Sequence, residues 1–159
     1  PGKIPAGTET DVLTGLEDWL PTLLELTGVE TKSPAGIDGV SLAPVLLRTA
    51  KKGSGGRDFL YREFPAYGGQ QSVWLDGGKW KAIKQNLITR GKRRGRSVAG
   101  GSDAAPGKLE LYNLQNDIGE SKDVADAHPE IAARAEALMK REHVPTADFP
   151  FAALDGPAK

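Results

Sequence analysis

Helix-like and strand-like stretches alternate with Gly- and Pro-rich joints along the chain, and the pattern changes character near residue 58. Before that point, Asp18-Trp19-Leu20-Pro21-Thr22-Leu23-Leu24-Glu25-Leu26-Thr27-Gly28 predicts a helix with Asp18 as N-cap and Gly28 in the left-handed closing position. Pro21 falls in the first turn, where its missing N–H has no intrahelical partner. Trp19, Leu20, Leu23, Leu24 and Leu26 nearly surround this short helix, which predicts burial on more than one side and the need for a sizeable partner. Pro34, Gly36, Gly39 and Pro44 then mark a turn-rich connection with one short helix near residues 41–47, followed by a surface loop at Lys51-Lys52-Gly53-Ser54-Gly55-Gly56.

From Asp58 the period shortens. Phe59-Leu60-Tyr61-Arg62-Glu63-Phe64 is aromatic-rich and stops at Pro65, as a strand would. Ser72-Val73-Trp74-Leu75 and Lys79-Trp80-Lys81-Ala82-Ile83-Lys84 flank Asp76-Gly77-Gly78, where glycine tolerates the positive φ of a tight hairpin turn. Leu109-Glu110-Leu111-Tyr112-Asn113-Leu114, bounded by Gly107 and Asn116-Asp117, supplies a fourth strand. Ile131, Ala135, Leu138 and Met139 recur at i, i+4, i+7 and i+8 behind Pro129, which predicts an amphipathic helix covering one side of the sheet. The tail, with Phe149, Phe151 and Leu154, reads as an extended wrap over the surface. The expected fold class is α+β. Residues 58–159 form a small four-stranded antiparallel sheet with a C-terminal helix and tail, and residues 1–57 contribute helical edge elements and a connecting loop.

Composition narrows the chemistry. The 159 residues carry 21 acidic and 21 basic side chains, so no global field points to nucleic acid or a membrane surface. Twenty Gly and 11 Pro exceed the roughly 12% of ordinary usage and favour a loop-rich fold. The absence of cysteine removes disulfides, thiolate nucleophiles and Cys-based zinc sites. No apolar run approaches the ~20 residues needed to span a bilayer. The opening Pro1-Gly2-Lys3-Ile4-Pro5, without an initiator Met or an apolar leader, is expected of a portion of a longer chain.

Several segments, taken in order, resemble the C-terminal part of the type I sulfatases of the alkaline phosphatase superfamily. They are Pro1-Gly2-Lys3-Ile4-Pro5-Ala6-Gly7, the helix Asp18 to Leu24 with Gly28, Asp38-Gly39-Val40-Ser41-Leu42, the strand Phe59 to Phe64, the hairpin Gln71 to Lys81, and Leu111-Tyr112-Asn113-Leu114 with Asn116-Asp117-Ile118-Gly119-Glu120. The resemblance implies that residues 1–57 are the edge of a sulfatase α/β domain and residues 58–159 its C-terminal subdomain. It also implies a parent that hydrolyses sulfate monoesters with formylglycine and calcium, is exported to the periplasm or outside the cell, and acts on a sulfated carbohydrate. The formylglycine motif of that family, Cys or Ser followed by x-Pro-x-Arg, is absent from this sequence. The family's calcium ligands and sulfate-contacting His and Lys residues fall ahead of the stretch matching Pro1. No catalytic or metal-ligating residue is therefore expected here, and the segment by itself is expected to be inactive.

Three constellations carry candidate contacts. Glu63, Tyr67, Gln70 and Gln71 lie in or beside a Gly-containing loop that joins two strands, and their ring, amides and carboxylate suit a sugar-binding edge; the plain alternative is an ordinary loop. Lys79 and Lys81, with Lys84, flank Trp80, either as a solvated face with lysine stems over apolar surface or as sulfate contacts. Arg90, Lys92, Arg93, Arg94 and Arg96 read as a solvated loop or as a polyanion contact, with no interleaved aromatic to suggest single-stranded nucleic acid. His128 and His143 flank the last helix, too far apart to form a local metal pair; His128 is read as helping to start that helix. The expected partners are the remaining N-terminal sulfatase domain and a sulfated carbohydrate, with self-association through the helix at Trp19 to Leu26 if it stands uncovered. Two other readings stay open: a stand-alone module binding anionic glycans, and part of a phosphatase or phosphonate hydrolase relative.

Overall fold

The computed structural model describes residues 2–29, 35–50, 56–88 and 107–155. Contacts divide the chain into two compact units, Pro1–Leu60 and Tyr61–Lys159. The basic stretch 90–96 lies outside the described residues.

In the first unit a 3₁₀ turn at Leu16–Asp18 runs directly into α1 (Trp19–Thr27), which closes on Gly28 at φ 67°, as expected for a C-terminal glycine. Asp18 does not cap α1, contrary to expectation. Its backbone is already helical and its side chain makes no bond to the first turn of α1. The fully buried carboxylate instead collects the N–H groups of Gly15 (2.8 Å) and Val40 (2.9 Å) and the guanidinium of Arg57. Burial alone would raise its pKa, but Arg57 and the two backbone donors bring it below the usual carboxylate range. Thr22 adds a second tie, donating to the Asp18 carbonyl (2.6 Å) and accepting from Leu42 N–H (2.8 Å) just ahead of α2 (Ala43–Leu46). Where the chain returns past α1, Gly39 is obligatory: a Cβ there would stand 2.1 Å from the Glu17 carbonyl oxygen.

The predicted burial of α1 on several sides is not seen within this chain. Only Pro21 and Thr22 of the helix are buried, whereas Trp19, Leu20 and Leu23 are 48%, 49% and 52% exposed.

The second unit is built on a four-stranded antiparallel sheet of order β1-β2-β3-β4, with β1 at Phe59–Phe64, β2 at Gln70–Leu75, β3 at Trp80–Gln85 and β4 at Leu109–Asn113. β2 begins two residues earlier than Ser72, because Gln70 and Gln71 continue the ladder opposite Gln85 and Lys84. The hairpin turn is Asp76–Gly78, with Gly77 at φ 68°. Register places Gln71, Val73 and Leu75 across from Lys84, Ala82 and Trp80, and these across from Leu109, Leu111 and Asn113. This is the covered face. α3 (Pro129–Glu142) lies on it and buries Ala135 and Met139, two of the four positions that predicted its apolar stripe. The opposite face carries Trp74, Lys81 and Tyr112 in one row.

His128 starts α3 through its backbone, its carbonyl accepting from Ile131 and Ala132, while its ring packs on Trp80 at 4.7 Å between centroids. Its side chain makes no capping bond. The tail is not wholly extended: Phe151 is buried, and the chain ends its described course in a helical turn, α4 (Ala152–Asp155).

Removing the charge of Asp18 leaves Arg57 in a site where its side chain is only 15% exposed. Breaking a buried pair from one side costs about 3–5 kcal/mol. Asp18→Asn is therefore expected to abolish amide protection at Val40 and Leu42 by hydrogen exchange, while the β2–β3 ladder keeps its protection.

Candidate functional site

The residues singled out in and beside the loop between β1 and β2 fall into two groups. Tyr67 stands at the surface, 51% exposed, with its ring 5.9 Å from that of Phe64, itself 49% exposed, and tilted by 28°. Two exposed rings thus form a small aromatic platform. Its support is rigid: Gly69 N–H donates to Ala66 (3.0 Å), while Leu87 and Ile88 N–H groups donate to the carbonyls of Gly69 (3.1 Å) and Gly68 (2.7 Å). Gly69, at φ +81°, has no room for a side chain, since a Cβ would meet Ile88 Cγ1 at 2.7 Å. Tyr67 itself is held at φ 54°, a left-handed conformation that costs a bulky L-residue on the order of 1–2 kcal/mol. Gln70 sits at the start of β2, half-buried and opposite Gln85.

Glu63 and Gln71 belong to a different place. Gln71 is 2% exposed on the covered sheet face, where its amide nitrogen donates to Tyr61 Oη (2.7 Å) and Glu63 Oε1 (3.0 Å). Tyr61 donates to the same Glu63 oxygen. Burial first, and the neighbouring Glu63 second, push the Tyr61 pKa far above the ordinary phenol value, so it remains a donor. His143, just past α3, brings Nδ1 to 2.5 Å from Glu63 Oε1 and Nε2 to 2.7 Å from Asp155 Oδ1. The Phe151 ring stacks on the imidazole at 6.0 Å, nearly parallel at 6°. Tyr61, Glu63, Gln71, His143 and Asp155 therefore make one polar cluster on the covered side of the sheet. It borders a cavity of about 530 Å³ to which Gln71, His143, Lys84, Met139, Ala153 and Leu154 contribute.

No local pattern in the sequence marks this cluster. Glu63 and His143 are 80 positions apart, and no local spacing connects them. The available signal was Gln71 itself, a polar residue on the same alternating face as Val73 and Leu75.

The lysines are engaged with neighbours. Lys81 Nζ lies 2.6 and 2.7 Å from the two Glu120 oxygens and 5.3 Å from the Trp74 ring centroid, on the face away from α3. Lys84, on the covered face, pairs with Glu136 of α3 at 2.5 Å. With side chains only 16% and 13% exposed, Lys81 and Lys84 are not a solvated row. Lys79 extends over Trp80, its Nζ 5.4 Å from the ring centroid. On the face shared with Lys81, burial and the adjacent Glu110 push the Tyr112 pKa up to about 12.

Among the described residues no group of three or more His, Cys, Asp or Glu side chains is placed to hold a metal ion. The residues seen here thus do not fit calcium. No helix among them is long and apolar enough to cross a membrane.

Comparison with known proteins gives these side chains a setting. No protein-family model matches the chain. Bovine (Bos taurus) arylsulfatase A is 30% identical over 166 residues, an alignment that takes in 100% of this chain but 31% of the bovine protein. In sequence the chain is thus similar to a part of a sulfatase. Solved structures agree in fold. A protein solved in complex with its substrate, D-glucosamine-2-N,6-O-disulfate, superposes with a TM-score of 0.54 at 20% identity, over 78% of this chain and 22% of that one. A Bacteroides fragilis protein assigned as a sulfatase, yidJ, gives 0.52 at 16% identity, over 78% and 23%. The chain thus spans less than a third of the sulfatases it matches. Their likeness agrees with the α+β architecture read from the sequence.

Replacing Gln71 by Leu keeps approximate volume but withdraws two buried donors from Tyr61 and Glu63. The expected loss is about 1–3 kcal/mol in urea unfolding. Paired with Tyr61→Phe, it should cost less than the two separate changes added together, because both act on one network.

Proposed function

We propose that this chain is the C-terminal part of an enzyme hydrolysing sulfate monoesters of a sulfated carbohydrate, in which it braces a separate catalytic body and lends contacts to the substrate cleft. The observation that carries the reading is the alignment of the whole chain with under a third of arylsulfatase A, in a sequence lacking both cysteine and a Ser-x-Pro-x-Arg motif. Nucleophile, calcium and formylglycine then belong to the rest of the parent, which also covers the exposed face of α1 at Trp19, Leu20 and Leu23. Self-association through that face is the alternative wherever the partner is withheld. Export to the periplasm or the cell exterior goes with the same reading.

Within the chain, the Phe64–Tyr67 platform is the best-formed sugar contact. Rings on a rigid support stack against a sugar face at little entropic cost, and Gln70 beside them offers an amide to hydroxyls. Backbone strain at Tyr67 supports a functional reading, since conformations of this kind gather at binding sites. Glu63 and Gln71 bond within the covered cluster, Lys81 is taken up by Glu120 and Lys79 lies over Trp80, so the direct contact is assigned to the Phe64–Tyr67 platform rather than to these four side chains. One fold relative takes D-glucosamine-2-N,6-O-disulfate as its substrate, which supports the carbohydrate assignment.

The test begins with the reading frame ahead of residue 1, where a Cys-x-Pro-x-Arg or Ser-x-Pro-x-Arg motif is expected. The longer product should release sulfate from an aryl sulfate and from a sulfated glucosamine, and the 159-residue chain alone should release none. In the longer product Tyr67→Ala should raise KM for the sugar about tenfold, equivalent to ~1.4 kcal/mol, and leave the aryl sulfate unaffected. Sulfate release by the isolated chain in the presence of a chelator would overturn the proposal.

A further inference from the structure

His143 stands between carboxylates from two different segments, Glu63 of β1 on Nδ1 and Asp155 of α4 on Nε2. An ionised carboxylate only accepts, so each contact requires an N–H on the ring. The imidazolium has two such groups and the neutral ring has one. Deprotonation must therefore break one of the two bonds.

The surroundings decide which. Glu63 Oε1 also receives Tyr61 and Gln71, both on the sheet, and keeps its place whatever the ring does. Asp155 Oδ1 bonds His143, while its other oxygen accepts Phe151 N–H (2.7 Å) inside the same helical turn. α4 is otherwise tied down by Ala153 N–H on the Leu87 carbonyl (3.1 Å) and by burial of Phe151. One helical turn has no stability of its own. The remaining charges near the ring offer no substitute for Asp155. Lys84 and Glu136 bond each other, Lys140 is exposed, and Glu142 and Tyr61 lie on the Glu63 side.

We propose that His143 is a proton-operated latch: as imidazolium it clamps α4 against the cavity that Ala153 and Leu154 help to wall, and as neutral imidazole it keeps Glu63, releases Asp155 and frees the turn. The direction of the response follows from the titrations. Burial would lower the His143 pKa, but its bonds to Asp155 and Glu63 raise it above the ordinary 6.5, so the clamp is lost only as pH rises through that raised value. The His143 bond, above all, holds the Asp155 pKa below its ordinary 3.8, so at the acid end the clamp persists until pH falls through that lowered value.

Amide exchange and imidazole NMR on the 159-residue chain test this directly. After correction for intrinsic exchange, protection of the Ala153 amide should fall about tenfold or more with the midpoint of the His143 titration, while the β2–β3 ladder stays protected. Asp155→Asn should erase the step, because a carboxamide can accept from a ring N–H or donate to a bare ring nitrogen. Uniformly high or uniformly low protection in that variant supports the latch. A wild-type step that does not follow His143, or one that survives in Asp155→Asn, overturns it.

Discussion

A carboxamide on the covered face of the sheet sets the terms for the second unit. Gln71 occupies the position in β2 where the alternation with Val73 and Leu75 calls for an apolar side chain, and it is 2% exposed. An amide in such a place must find partners or lose about 1–3 kcal/mol for each polar group left unmade. Its donors go to Tyr61 and Glu63, Glu63 draws in His143, and His143 reaches Asp155. Burying one polar group thus recruits a chain of others, and the last link adds to the Ala153–Leu87 bond and the burial of Phe151 in fastening the tail. Buried networks of this kind are favourable only when every member is satisfied, which makes this one both specific and sensitive to proton loss.

The first unit solves a similar problem with a charge. Asp18 is completely buried and is matched by a guanidinium and two backbone donors, in an arrangement that joins the start of α1 to the returning chain at Val40. Such a pair is weak evidence for stability but strong evidence for register, since displaced partners leave a bare charge behind. Thr22 repeats the tie at Leu42, and Gly39 permits the close approach that both ties require. The apolar side chains of α1 point elsewhere, and their exposure is what makes the unit read as part of something larger.

The strands, the hairpin turn and α3 were legible because each is written locally. Alternation in β2 and β3, Asp76-Gly77-Gly78 between them, and the recurrence of Ile131, Ala135, Leu138 and Met139 are patterns of period two and 3.6 that need no distant partner. Asp18 was misread because one residue type serves two ends: a short carboxylate ahead of a helix can cap it or be buried in an ion pair. Arg57, 39 positions away, decides between them. The early start of β2 was missed because Gln70 and Gln71 look like loop residues until Gln85 and Lys84 are set opposite them. The His143 cluster was beyond any local pattern, since its members come from two strands, the end of a helix and the tail.

The same distinction separates the two kinds of candidate contact. Glu63 and Gln71 were grouped with Tyr67 and Gln70 by adjacency in sequence, but in a strand adjacent residues point to opposite faces. The pleat therefore sends Gln71 inward while Gln70 keeps to the other side, and the loop lifts Tyr67 beside Phe64 at the surface. A contact surface has to be half-wet and rigid at once, and the Phe64–Tyr67 platform meets both demands because Gly68 and Gly69 anchor it to Leu87 and Ile88. Leu87 also accepts the Ala153 amide of the tail, so one short stretch of backbone supports the platform on one side and the latch on the other. Loosening α4 removes a bond from that shared stretch. Proton loss at His143 and the footing of Tyr67 are thereby connected through hydrogen bonds rather than through proximity in sequence.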